Sequence, residues 1–208
     1  MTQATQFFFL SGAAGHIECA LDLPDSPPVG IALVAHPHPL YGGTMENKVV
    51  QTIDRALASA GYAVARMNFR GVGRSAGTHD EGRGETDDMM LLLNYMKQQY
   101  PGLPVVLSGF SFGTFVLAQL HQRLQKEGAA PERMLLVSVT AGKWDLPPVP
   151  QNTVLVHGEH DELIRLSDVM NWARPQDLPV IVIPGGDHLF NRKLHHLKNI
   201  VLNHFARD

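Results

Sequence analysis

Six short stretches of this chain are apolar at almost every position: "GIALVAH" (30–36), "YAVARMNF" (62–69), "VVLSGF" (105–110), "MLLVSVT" (134–140), "TVLVHG" (153–158) and "VIVIPGG" (180–186). A strand with one wet face alternates polar and apolar residues, so runs like these predict strands covered on both faces. Longer segments of helical period separate them. Residues 47–60 carry Val49, Val50, Ile53, Ala56, Leu57 and Ala60 on one stripe, with Asn47 placed as N-cap and Gly61 as stop. Residues 87–99 repeat the pattern behind Asp87 and Asp88, whose charge suits the positive end of a helix dipole. Segments 112–126, 166–173 and 194–206 complete the set. Parallel neighbours need crossover connections, so the alternation predicts an α/β fold, a mostly parallel twisted sheet with helices on both faces. The first 24 residues differ: "FFFLSGAAGHIECALDLP" predicts an antiparallel N-terminal hairpin with a Gly-containing turn.

A chain of 208 residues suits a single domain spanning 1–208 with a large core. Its 44% hydrophobic and 18% charged content and net charge of -3 leave no basic excess to grip nucleic acid or anionic lipid. No apolar stretch approaches the roughly 20 residues a membrane-spanning helix needs. The lone Cys19 cannot build a disulfide framework, and the N-terminal residues lack a basic start, so the cytoplasm is the expected compartment. The residues leave oligomeric state open.

The spacing G-x-S-x-G occurs twice, around Ser75 (73–77) and Ser111 (109–113). Ser75 is followed by the polar, glycine-rich "AGTHDEGRGETDD", which reads as a surface loop with a turn serine. Ser111 instead stands where a buried strand stops and an apolar helix begins, the context of a nucleophile elbow. A serine on so tight a turn adopts a strained backbone, and side chains two residues before and after it would collide, hence Gly109 and Gly113. The turn lifts the hydroxyl off the sheet edge and frees the Phe112 N–H at the helix N-terminus, where an oxyanion can sit.

A serine hydroxyl needs a base and an orienting acid. "TVLVHGEHDELI" ends a buried strand and delivers Asp161 just past it; "VIVIPGGDHLF" ends the last strand and delivers His188. Each candidate follows its own strand, at the sheet edge where open α/β sheets carry their sites.

With Ser111, Asp161 and His188 in that chain order, the sequence resembles the α/β-hydrolase superfamily from about residue 16 to 206. More narrowly, "HPHPLYGGTMENK" (36–48) and "NFRGVGRSAG" (68–77) resemble segments of small, lidless bacterial hydrolases related to dienelactone hydrolase. Dienelactone hydrolases themselves use a cysteine nucleophile; this elbow holds Ser111, and the only thiol, Cys19, lies in the hairpin. The resemblance places the second oxyanion donor in the loop after strand 30–36. Pro37 and Pro39 have no N–H, which leaves His38 first and Leu40 second. The 68–77 loop is expected to support the site or edge the pocket. Relatives with a cap insert it before the acid loop, where this chain has only "AGKWDLPPVPQN" (141–152), so no cap domain is expected. The open site then favours small or exposed acyl groups, lined by Tyr41, Phe110, Phe112, Trp144 and Phe190.

The implied chemistry is two-step acyl transfer on a small-molecule ester, needing no cofactor and no metal. A peptidase or acyltransferase would use the same residues, and a non-catalytic binding protein could share the fold. Eleven histidines, including His36 and His38, His157 and His160, and His195 and His196, raise a metal hydrolase as a rival; the proline inside H-P-H and the absence of carboxylates at metal-ligand spacing count against it.

Overall fold

The computed structural model describes residues 4–206. The expected hairpin forms from β1 (Gln6–Gly12) and β2 (Gly15–Asp22), antiparallel, with Gly12 opposite Gly15. The apolar runs become β3 (Gly30–Ala35), β4 (Tyr62–Met67), β5 (Val105–Phe110), β6 (Arg133–Val137), β7 (Val154–Gly158) and β8 (Val180–Ile183). Together they make one eight-stranded sheet in the order β1-β2-β4-β3-β5-β6-β7-β8. β2 joins β4 antiparallel, and every pairing from β4 to β8 is parallel. This is the mostly parallel α/β sheet with an antiparallel N-terminal hairpin anticipated from the alternation of apolar runs and helical segments.

Alternate residues of each central strand enter opposite cores. Ile31, Leu33 and Ala35 of β3 enter the core they share with α2 (Arg83–Gln99), α3 (Phe112–Lys126) and α4 (Leu166–Ala173). Ala32 and Val34 enter the core they share with α1 (Lys48–Ser59) and α5 (Leu194–Phe205), two helices that lie against each other. That two-sided burial is what a near-continuous apolar run encodes. Between β6 and β7, residues 138–153 form turns and extended chain, and Leu146 and Val149 tuck into the core. Nothing there builds a cap.

Several boundaries differ from the sequence reading. Helix α2 starts at Arg83, not 87, because the buried Glu85 carboxylate accepts the Asp80 and Gly82 N–H groups, both at 2.9 Å, and so organises the first turn. Asp88 is spent on Arg70 at 2.9 Å instead of on the helix dipole. The strands β4, β6 and β8 stop before the apolar runs do, and the leftover residues become loops at the edge that carries the site.

One buried cation organises the start of α1. Arg66 of β4 reaches Asp22 at 2.9 Å, Glu46 at 2.8 Å, the Met45 carbonyl at 3.1 Å and Asp54 of α1 at 3.3 Å. Burial pushes the Asp54 carboxyl up to about 7 against the pull of Arg66. With Asn68 accepting the Met45 N–H at 2.9 Å, both sides of residue 45 are pinned to the end of β4.

Leu33 is fully buried at the centre of the sheet. Truncating Leu33→Ala should cost about 2–5 kcal/mol in urea unfolding, through lost transfer energy and the cavity left behind.

Candidate active site

Ser111 joins β5 to α3 with φ 53° and ψ -122°, a left-handed conformation that a non-glycine residue adopts only under constraint. Its own N–H donates to the Val137 carbonyl at 2.9 Å, and its carbonyl accepts the Thr114 N–H at 2.8 Å. The flanking glycines have the steric role the pentapeptide implies. A Cβ on Gly109 would stand 2.7 Å from the Gly113 carbonyl carbon, and one on Gly113 would overlap the Ala35 carbonyl oxygen of β3. The start of α3 therefore sits almost in contact with β3. As the first residue of α3, Phe112 keeps an N–H with no hydrogen-bond partner among the described residues.

His188 and Asp161 reach this turn from the loops after β8 and β7. The His188 ring lies 3.1 Å from Ser111 Oγ through Nε2 and 2.7 Å from Asp161 Oδ2 through Nδ1. A carboxylate only accepts, so Nδ1–H donates to Asp161 and Nε2 is left to accept the serine hydroxyl proton. All three side chains are buried, and the Phe110 ring backs the imidazole at a centroid distance of 5.0 Å. The second Asp161 oxygen accepts the N–H groups of Leu163 and Ile164 at 3.0 and 2.9 Å. Burial pushes the Asp161 carboxyl up, but the hydrogen bond and charge of His188, the Ile164 N–H and His157 outweigh it and hold the group below the usual carboxylate range. Behind this loop, His157 of β7 bonds the Ile164 carbonyl at 3.0 Å, tying the loop back to its strand.

After β3 the chain turns through a 3-10 helix, Pro39–Tyr41. The His38 side chain caps that turn: its Nδ1 accepts the Leu40 N–H at 3.2 Å. The His38 ring packs among Tyr41, His79, Phe112 and Trp144 at centroid distances from 4.7 to 5.9 Å. The His38 N–H itself has no partner among the described residues.

These groups line a cleft of about 870 Å³ that is open to solvent. A family model described as serine aminopeptidase, S33, matches residues 38–151. The crystal structure of an α/β serine hydrolase without a lid from Xanthomonas campestris superposes with a TM-score of 0.90 at 32% identity, covering 98% of this chain and 94% of that one. The chain belongs to the α/β-hydrolase superfamily. An α/β serine hydrolase homologue from Coxiella burnetii matches with a TM-score of 0.85 at 30% identity, over 99% of both chains. An uncharacterized protein of Rickettsia prowazekii is 36% identical over 201 residues, 89% of this hydrolase and 82% of its relative.

Most residues anticipated for the site of this hydrolase meet at the cleft: Ser111, His188, Phe112, His38, Phe110, Tyr41 and Trp144 line it, and Asp161 stands behind His188. Two do not. Phe190, expected as lining, is fully buried in the core beneath α1 and α5, because the chain turns at φ 52° there and drives the ring inward. Leu40 offers no free donor, since its N–H is taken by His38. Ser75 is also corrected: it is buried, donating to the Asn68 carbonyl at 2.6 Å and accepting the Glu18 N–H at 2.9 Å, so its hydroxyl is consumed in holding the 68–77 loop onto β2. No residue of 68–77 lines the cleft; Asn68 accepts the Met45 N–H and the Phe69 N–H donates to His36. Leu163, Ile164, Leu189 and Thr140 line the cleft without having been anticipated. Leu163 and Leu189 are exposed large apolar side chains flanking Asp161 and His188, and an aliphatic residue beside each polar candidate was the available signal.

The depressed Asp161 carboxyl carries a sign. Its stabilising contribution is complete above the ordinary carboxyl value near about 3.9 and is lost as pH falls through its lower folded value. In urea unfolding, the wild type should lose stability relative to Asp161→Asn as pH drops below about 4.

Proposed function

We propose that this hydrolase cleaves carboxylic esters with small or exposed acyl groups by a double displacement at Ser111. The observation that carries the reading is the hydrogen-bonded line from Ser111 Oγ through His188 to Asp161, at 3.1 and 2.7 Å, on the floor of an open cleft. In the first half-reaction the hydroxyl attacks the ester carbonyl while His188 Nε2 takes its proton. Asp161 holds the ring in the Nδ1–H tautomer and stabilises the imidazolium. The carbonyl oxygen becomes an oxyanion held by the free N–H groups of Phe112 and His38. His188 then protonates the leaving alcohol. In the second half, water attacks the acyl-enzyme with His188 as base, and the acid departs.

Tyr41, Trp144, Leu163 and Leu189 supply apolar contacts for the substrate, and the mouth has no cap to enclose a long chain. Two observations favour a second substrate class: the family model is described as an aminopeptidase, and the carboxylates of Glu162 and Asp187 line the cleft, where an α-ammonium group would be attracted. Turnover of an aminoacyl p-nitroanilide exceeding that of a p-nitrophenyl ester would establish the peptidase reading.

A fluorophosphonate probe should label Ser111 of the wild type and leave Ser111→Ala unlabelled, with esterase turnover falling by about 10⁴-fold or more in that variant; well-folded wild type that resists the probe would mean a binding protein. Across p-nitrophenyl esters of increasing length, kcat/KM should be highest for acetate and butyrate. A preference for laurate would contradict the uncapped-cleft argument.

A further inference from the structure

His36, at the end of β3, is a fully buried histidine outside the proton-transfer line, and both of its ring nitrogens are engaged. Its Nε2 lies 2.9 Å from the Phe69 N–H at the end of β4. A backbone N–H can only donate, so Nε2 is an acceptor and the proton of the neutral ring is on Nδ1. That Nδ1–H meets the Pro37 carbonyl oxygen at 2.6 Å. The ring is wedged against Phe69 at a centroid distance of 4.2 Å, and burial pushes its basicity down to about 3, so it stays in this neutral tautomer.

The Pro37 carbonyl and the His38 N–H belong to the same peptide unit. Described peptide bonds are trans, so the two groups lie in one plane and point in opposite directions. Fixing the oxygen therefore fixes the hydrogen. The oxygen end of this unit is packed from a second direction: Gly43 lies against it so tightly that a Cβ there would overlap the Pro37 oxygen, and the Tyr41 and Gly43 N–H groups hold the carbonyl of the next unit, that of His38, at 3.1 and 3.0 Å.

We infer that His36 is a positioning residue for catalysis, a neutral two-ended clamp that hangs the Pro37–His38 peptide from the end of β4 and so aims the His38 N–H at the oxyanion. The inference rests on the reading of His38 N–H as the second oxyanion donor. It also accounts for a histidine in the H-P-H motif: only imidazole offers, in one rigid ring, an acceptor for the Phe69 N–H and a donor for the Pro37 oxygen. An asparagine amide nitrogen can occupy the Nδ1 position, whereas a glutamine amide reaches the Nε2 position.

The test compares kcat and KM for p-nitrophenyl butyrate in His36→Ala, His36→Asn, His36→Gln and Gly43→Ala, with melting temperatures for each. A misaimed donor should lower kcat of His36→Ala about 10- to 100-fold with KM changed by less than about 3-fold. His36→Asn should recover most of that loss and His36→Gln little, even where both are destabilised alike; a role confined to stability would not separate them. Gly43→Ala displaces the same peptide without touching His36 and serves as the control. Folded His36→Ala with wild-type kcat beside an impaired Gly43→Ala would overturn the clamp alone. Wild-type kcat in both would remove the oxyanion role of His38, and wild type that neither hydrolyses esters nor labels at Ser111 would remove the hydrolase reading beneath it. Should His36→Ala fail to fold, the order of Asn and Gln decides: equal kcat, or Gln above Asn, rejects the clamp.

Discussion

The near-contact between the first turn of α3 and the end of β3 is the constraint from which the site follows. Gly113 lies against the Ala35 carbonyl and Gly109 against Gly113, so the chain leaving β5 has to reverse within one residue, and Ser111 takes the left-handed backbone that this requires. That conformation costs of order 1–3 kcal/mol and persists only where the surroundings over-determine it. Here they do: β5 is hydrogen-bonded on both sides, and Ser111 itself is tied to Val137 of β6 and to Thr114 of α3. The same turn raises the hydroxyl to the sheet edge and leaves the Phe112 N–H unspent.

Around that turn, buried histidines serve as loop fasteners. His36 ends β3 and holds the Pro37 carbonyl; His157 lies in β7 and holds the Ile164 carbonyl behind Asp161. Burial lowers the basicity of both rings, which keeps them neutral and able to present a fixed tautomer. Both belong to the histidine pairs that made a metal centre worth weighing. Among the described residues no group of three or more His, Cys, Asp or Glu side chains is arranged to hold a metal ion, and the two rings are occupied with backbone carbonyls. Rigid loops matter at such a site because a donor misplaced by about 1 Å can forfeit much of its effect on a developing charge.

The strands were readable because two-sided burial leaves an unbroken apolar run, and the elbow was readable because close backbone approach tolerates only glycine at two defined positions. Asp161 and His188 were readable from their place just past a strand end. Less could be seen where the answer depends on which atoms meet. Phe190 follows His188 by two residues and looks like pocket lining, yet a left-handed turn sends it into the core. Ser75 carries the same pentapeptide as Ser111 and is consumed by Asn68 and Glu18, residues 7 and 57 positions away. Glu85 begins a helix earlier than charge patterning suggested, because it is fully buried and satisfies backbone donors that are invisible in one dimension.

The amino-acid sequence by itself determined the element order, the parallel sheet, the elbow and the serine, aspartate and histidine that come together at its edge, because periodicity and backbone sterics act over a few neighbouring residues. Only the tertiary structure decided which N–H groups remain unbonded, which loop carbonyls the buried histidines hold and which aromatics face the cleft. Those outcomes depend on hydrogen-bond partners brought together from distant parts of the chain, and a donor is free or spent only once every neighbour is in place.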